Sequence, residues 1–304
     1  MKWLRVFVLF LPALIFFLAF LSISLLNEGV KKETEQMKLP KQFLSRFSPA
    51  PYPIVTTTMP QLFAESALVM DNDSKIILFS KNKDTRFSMA STAKIMTALV
   101  ALEHYTSDDM LTIQSTVVPP AVVGYSLGEN VPFPDILYGM LLPSGNDAAL
   151  AIAQNYPGGE KAFIADMNEK AKELHLENTH FSDSSGLDDF GDYTTVVDLA
   201  RLTSIALQNP TFAQIVSTKN KTIVSATSKK RYTLTNLNQL LGSYGVNGVK
   251  TGFTPDAGGI LVTSSRSRGH TLVYVVMKSE DRFADTEKLL SALDNQVTYA
   301  PIAP

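Results

Sequence analysis

Short apolar runs bounded by turns lie on either side of a long stretch with helical periodicity. That order leaves few architectures open. SALVM and KIILF flank Asp71-Asn72-Asp73-Ser74, two apolar runs around a turn, and read as a β-hairpin. A helix is predicted from about Thr92 to Glu103, and PDILYGMLL, DAALAIAQ, EKAFIADMNEKAKEL and TVVDLARLTSIALQ make a helical middle. In the third of these, Phe163, Met167, Ala171 and Leu174 form an apolar stripe opposite Lys161, Glu169 and Lys172, which is ordinary core spacing. TIVSA, RYTLT, GVKTGF, GILVTSS and TLVYVVM return to strand patterning, and a closing helix runs from about Arg282 to Leu293. The expected fold is one mixed α/β domain over residues 64–295. Its first and last strands share an antiparallel sheet covered by helices, and a helical lobe is inserted between them. A cleft between lobe and sheet is where a site belongs.

The segment ahead of this domain has a different character. Between Leu4 and Leu26 only Arg5 is charged, a run about 34 Å long as a helix. It exceeds an ordinary secretory apolar core, and Ser22-Ile23-Ser24 matches a cleavage site poorly. Residues 1–27 therefore read as a retained transmembrane anchor. Lys2 and Arg5 favour an inside N-terminus, although Lys31 and Lys32 dilute the bias. Residues 28–63 are first charged and then punctuated by prolines, and read as an extracytoplasmic stalk. Residues 296–304 read as a tail.

Composition removes several chemistries. A net charge of −2 gives no reason to expect nucleic acid. With no cysteine, thiol catalysis, disulfides and thiolate-bound zinc are excluded. The four histidines, His104, His175, His180 and His270, stand in no triad context, and no G-x-S-x-G elbow occurs. His175 and His180 are spaced for no common zinc pair. Nothing in the chain calls for a metal or a cofactor.

A serine nucleophile must then find another base. Ser91 and Lys94, in "FSMASTAKIMTALVALE", are three apart where a helix begins, so both side chains share one face. Burial and a cationic neighbour would each lower the lysine pKa and free it to accept a proton. A helix start also offers unpaired N–H groups to a developing oxyanion. S-x-x-K is common by itself, but Ser144-Gly145-Asn146 and Lys250-Thr251-Gly252 follow it, the latter on a predicted strand. The strand lysine supplies positive charge, and the glycine admits an extended substrate close to the backbone.

S-x-x-K, S-x-N and K-T-G in this order form the signature of penicillin-binding proteins and serine β-lactamases. Together with "LVMDNDSKIILFSKNKDTRFSMASTAKIMTALVALE", "SSGLDD", "DYTTVVDLARL" and "VNGVKTGFTPDAGGILVTSS", the chain over about 64–293 resembles the low-molecular-mass D-alanyl-D-alanine carboxypeptidases. These are serine peptidases of bacterial wall maturation, with a β-lactamase/transpeptidase-like fold. The resemblance implies that Lys94 deprotonates Ser91, which attacks the carbonyl between the two terminal D-alanines of a peptidoglycan stem peptide. The N–H groups of Ser91 and Phe253 would form the oxyanion hole. Ser144 would relay a proton to the leaving amine, and Asn146 would hold the substrate backbone. Lys250 would keep the site cationic and help hold Lys94 neutral, while Thr251 and Arg282 would bind the terminal carboxylate. β-Lactams would be covalent inhibitors, and the protein would sit in the bacterial cytoplasmic membrane with its catalytic domain outside.

The sequence also departs from that pattern. Ala93 stands where the family often has threonine, and "VVGYSLGEN" replaces a more serine-rich run at the cleft rim. The chain ends soon after the closing helix, without the C-terminal β-domain of many carboxypeptidases, which brings D,D-endopeptidase action on crosslinks into view. A class A β-lactamase would need a glutamate in E-x-x-L-N, and the nearest stretch, Glu173 to Glu177, lacks the asparagine. A non-catalytic β-lactam-binding module would be expected to lose a catalytic group, yet Ser91, Lys94, Ser144, Asn146 and Lys250 are all present.

Overall fold

The strands foreseen at the two ends of the domain meet in one five-stranded antiparallel sheet. The computed structural model describes residues 52–300 other than 56–57, 117–120, 188–190, 226, 228, 268 and 295, all within the unit Ala50–Pro304. Strand β1 (Tyr52–Val55) is followed by the hairpin of β2 (Ser66–Asp71) and β3 (Ile77–Lys81). A 3₁₀ turn, Ala90–Ala93, runs into helix α1 (Lys94–His104). The inserted region holds the short ladder β4 (Met110–Thr112) and β5 (Asn130–Pro132), then α2 (Phe133–Leu141), α3 (Asn146–Asn155) and α4 (Gly159–Glu173). Helices α5 (Val196–Ala206) and α6 (Pro210–Val216) precede the hairpin β6 (Asn220–Val224) and β7 (Arg231–Thr235). The chain then re-enters the sheet with β8 (Val246–Thr254), β9 (Gly258–Ser267) and β10 (His270–Ser279), and ends in α7 (Arg282–Leu293) and β11 (Val297–Ala300).

Strand order is β3-β2-β10-β9-β8, so the first strand of the hairpin lies against the last long strand. Successive side chains point to opposite faces, and here both faces are dry. Leu68, Met70, Val273, Val275 and Met277 join one core with α1 and α5. Ala67, Val69, Leu272, Tyr274 and Val276 join another, which includes Leu289, Leu290 and Leu293 of α7. Helix α1 is buried along most of its length, from Lys94 to Ala101, which fits its nearly unbroken apolar sequence. In α4, Phe163, Met167 and Ala171 are buried as their spacing predicted, with Leu174 packed at the margin.

Three local features differ from the sequence reading. Ser91 lies in the 3₁₀ turn rather than on the first turn of the α-helix, because no capping side chain starts α1 earlier. Helix α6 was not foreseen, although Asn209 caps it through the N–H groups of Thr211 and Phe212 and Pro210 occupies its first turn. Residues 52–55 of the assigned stalk pair in antiparallel register with residues 297–300 of the assigned tail. The proline-punctuated extended backbone is compatible with an isolated two-stranded ladder, where Pro53 can sit without a central partner on each side. The apolar run Leu4–Leu26 and most of the assigned stalk lie outside the described residues. Among the described residues, no helix is long and apolar enough to cross a membrane.

Candidate active site

Three chain segments converge on Lys94: its own turn, the start of α3 and the loop 182–187. The Lys94 Nζ lies 2.9 Å from Ser91 Oγ, 2.8 Å from Asn146 Oδ1 and 2.7 Å from the Ser185 carbonyl oxygen. Lys94 is wholly buried, whereas Ser91 remains partly exposed. Burial pulls the Lys94 pKa down to about 7, against the opposing pull of Asp183, Asp192 and Asp147. The three neighbours suit either charge state. A neutral amine gives its two N–H groups to the two carbonyl oxygens and keeps its lone pair for the Ser91 hydroxyl. An ammonium donates to all three.

A second pair lies beside the first. Lys250 Nζ on β8 donates to Ser144 Oγ at 2.9 Å and to the Thr251 carbonyl at 2.8 Å. Lys250, Thr251, Ser144 and Asn146 are all buried. Burial pushes the Lys250 pKa well below its ordinary value, and the charges of Lys94 and Arg282 push the same way. The sequence reading gave Lys250 the task of holding Lys94 neutral. In the structure burial is the leading cause at Lys94, and the cation-on-cation effect is felt at Lys250.

The backbone geometry explains why these groups meet. Ser144 has φ +67° and Ala90, just before Ser91, has φ +44°. A left-handed conformation costs a residue with a Cβ about 1–2 kcal/mol, and it occurs at Ser144 itself and immediately before Ser91. Gly186, at φ +78°, packs so tightly on the turn that a Cβ there would lie 1.8 Å from the Ala90 carbonyl oxygen. Thr97 Oγ1 donates to the Ser184 carbonyl at 2.6 Å, fixing the same loop to α1. Strand β8 passes along the other side: a Cβ on Gly252 would stand 3.3 Å from the Met89 carbonyl oxygen and 3.4 Å from Ser91 N. Phe253 follows on the strand with its side chain exposed. Arg282, opening α7, donates from Nη1 to the Gly252 carbonyl at 2.9 Å. All nine residues singled out from the sequence thus fall in one neighbourhood.

A family model described as D-alanyl-D-alanine carboxypeptidase matches residues 54–281. The chain belongs to this family. A D-alanyl-D-alanine carboxypeptidase of Streptomyces sp. (strain K15) is 36% identical over 261 residues, covering 79% of this chain and 90% of the relative. A D-alanyl-D-alanine endopeptidase of Pseudomonas aeruginosa is 34% identical over 255 residues, covering 80% and 81%. The crystal structure of the Streptomyces K15 DD-transpeptidase superposes with a TM-score of 0.71 at 35% identity, covering 77% of this chain and 98% of that one. The carboxypeptidase family therefore supplies the mixed α/β, transpeptidase-like fold.

Against the family pattern, the departing rim "VVGYSLGEN" is firmly built. Asp147, the residue after the S-x-N motif, accepts from the N–H groups of Val123 and Gly124 at 2.9 and 2.8 Å. Asn146 N donates to the Ala121 carbonyl at 2.7 Å. Tyr125 packs edge-on against Tyr232, whose hydroxyl donates to Glu129 at 2.7 Å. Sequence reasoning missed Asp147, although a carboxylate adjoining a polar motif was a usable signal. It also missed the Ser185 carbonyl, which no side-chain pattern can announce. Among the described residues no cluster of His, Asp or Glu is arranged to hold a metal.

Proposed function

We propose that this chain is a serine D-alanyl-D-alanine carboxypeptidase acting on peptidoglycan stem peptides through an acyl-enzyme. The observation that carries the reading is the buried Lys94 amine 2.9 Å from Ser91 Oγ, with Asn146 and the Ser185 carbonyl holding its other sides. Neutral Lys94 takes the Ser91 proton as Oγ attacks the carbonyl carbon of the penultimate D-alanine. The negative oxygen is received by the N–H groups of Ser91 and Phe253, on two segments that touch at Gly252. The C–N bond then breaks, and Ser144 relays the proton taken up by Lys94 to the departing D-alanine amine, which leaves Lys94 neutral again. Lys250, bonded to Ser144, steadies that hydroxyl and keeps the pocket cationic. Water attacks the ester, its proton goes to Lys94, and the Ser91 hydroxyl is restored. Asn146 orients the substrate backbone, while Thr251 and Arg282 receive the terminal carboxylate. β-Lactams acylate the same serine, and no cofactor or metal enters any step.

Hydrolysis of crosslinks is the second reading, supported by the relative named an endopeptidase. Digestion of purified wall fragments followed by mass analysis separates the two: loss of one D-alanine from a free pentapeptide marks the carboxypeptidase, and cleavage of dimers marks the endopeptidase. Ser91→Ala should abolish both activities and all labelling by a fluorescent penicillin. Labelling that survives it removes the assignment. We further infer that residues 1–27 anchor the protein in the bacterial cytoplasmic membrane, with the catalytic domain extracytoplasmic. The support is the apolar run Leu4–Leu26. The full chain should fractionate with membranes at unchanged mass, and a mature N-terminus near Leu25 would overturn the anchor.

A further inference from the structure

Behind Lys94 lie two carboxyl groups that the mechanism above does not use. Asp183 closes the loop under the lysine: its Oδ1 accepts from the N–H groups of Ser185 and Gly186 and from Ser185 Oγ, and its Oδ2 accepts from Leu187 N at 2.9 Å. The residue it orients most directly is Ser185, whose carbonyl receives Lys94 Nζ. Asp192 is 1% exposed. Its Oδ1 accepts from Ser182 N at 2.7 Å and from Ser182 Oγ at 3.2 Å. Its Oδ2 is buried and has no donor among the described residues. Yet the Asp192 side chain lies within hydrogen-bonding reach of the Asp183 carboxyl.

Two ionised carboxylates cannot bond one another, and an acceptor oxygen buried without a donor is unfavourable. One proton between the two acids removes both difficulties. We propose that Asp183 and Asp192 form a carboxyl pair sharing one proton, and that this pair is the positioning element of the catalytic lysine, holding the Ser185 carbonyl against Lys94 and setting the negative charge behind it. The proposal rests on the reading of Lys94 as the base. The bridge Phe87–Thr194 carries the Asp192 segment alongside the approach to Ser91, so the pair is tied to the reacting turn by backbone on both sides.

The charged neighbours can be named element by element. Lys94 faces the pair from α1, and Asp147 acts on Lys94 from the start of α3. On the adjoining bridge His180 stacks on Tyr193 and bonds the Gly191 carbonyl, with the Arg86 guanidinium over the same tyrosine. Burial, then the Asp183 charge, raise the Asp192 pKa to about 7, the region to which Lys94 falls. A lost pair proton therefore adds an anion that favours the ammonium form of Lys94.

Asp192→Asn tests this directly. The amide keeps an oxygen for Ser182 and places an N–H where the shared proton sat. The variant cannot gain the second anion that the pair acquires on losing its proton, an anion that stabilises the Lys94 ammonium, so the pH midpoint of penicillin acylation should move to lower pH by about one unit, the low end for a nearby charge. A uniform change in rate with an unmoved midpoint would overturn the proposal, since a merely structural residue behaves that way. The proton itself is read by infrared spectroscopy in an Asp135→Asn background, because Asp135 is, among the described residues, the other carboxyl raised by burial. At about pH 6, where ordinary carboxyls are ionised, the carbonyl band of an un-ionised acid should be present and should vanish on adding Asp192→Asn. A band absent at that pH overturns the pair even if the Asn variant does not fold. A flat acylation profile in the unaltered protein would instead count against Lys94 as the base, and leaves the band to decide the pair.

Discussion

Arg282→Ala separates recognition of the substrate carboxylate from maintenance of the strand. The guanidinium already spends Nη1 on the Gly252 carbonyl, while Nε is buried with no acceptor among the described residues. Nε and Nη2 form the side-on fork of an arginine, which matches the two oxygens of a carboxylate. Bonds to a charged group are worth about 1.5–3 kcal/mol, so kcat/KM on a peptide ending in D-Ala-D-Ala should fall roughly 10- to 150-fold. The substitution also strips Gly252 of its donor, a loss felt by every substrate. The informative quantity is therefore the ratio of losses on the free acid and on its C-terminal amide, which presents no anion. That ratio should approach the full effect in Arg282→Ala. Arg282→Lys should recover only part of it, because one ammonium cannot serve both Gly252 and the carboxylate fork. Equal losses on acid and amide would refute the reasoning and make Arg282 a support for β8.

The acylation rate should rise with pH through about 7 as Lys94 sheds its proton, and a profile flat from weakly acidic to weakly basic pH would contradict it. The same depressed pKa means the unfolded chain binds more protons than the folded one above about 7, so Lys94 makes the fold more stable as pH rises from there toward its ordinary value. Lys94→Met should remove that increment in denaturant titrations. Gly186→Ala should lower Tm by roughly 2–4 °C for each kcal/mol lost and slow acylation, because the added methyl drives the Ser91 turn away. Unchanged labelling would mean the loop yields freely. A fragment starting at Ala50 should be active without detergent, while one starting at Gln61 loses β1 and should be less stable by about 2 kcal/mol, one buried apolar side chain's worth. Equal thermal melts would show the β1–β11 ladder to be idle.

Beyond the pairing of the first and last long strands, what could be read from the sequence was mostly local. The α7 boundaries were legible because Asp281 caps the N–H groups of Phe283 and Ala284 ahead of an amphipathic run. The β2–β3 hairpin was legible from two apolar runs about a turn. Helix α6 was too short, at seven residues, for its period to register, and β1 and β11 are four residues each, with meaning only as partners. The reacting side chains could be named because each motif is contiguous. Asp183 and Asp192 could not, because their relation to Lys94 exists only once the chain returns to α1. Nor could the leading cause of the Lys94 shift be ranked, since burial depends on everything packed around that helix.

The pairing of β2 with β10 sets the timetable of folding. Val69 meets Tyr274, so the second strand of the domain stays without its central neighbour until nearly the whole sequence is available. Contacts this distant in sequence make closure slow and cooperative. Capacity to react with penicillin should therefore appear late and all at once in refolding, and chains interrupted before β10 should display an open β-edge to which other copies can add.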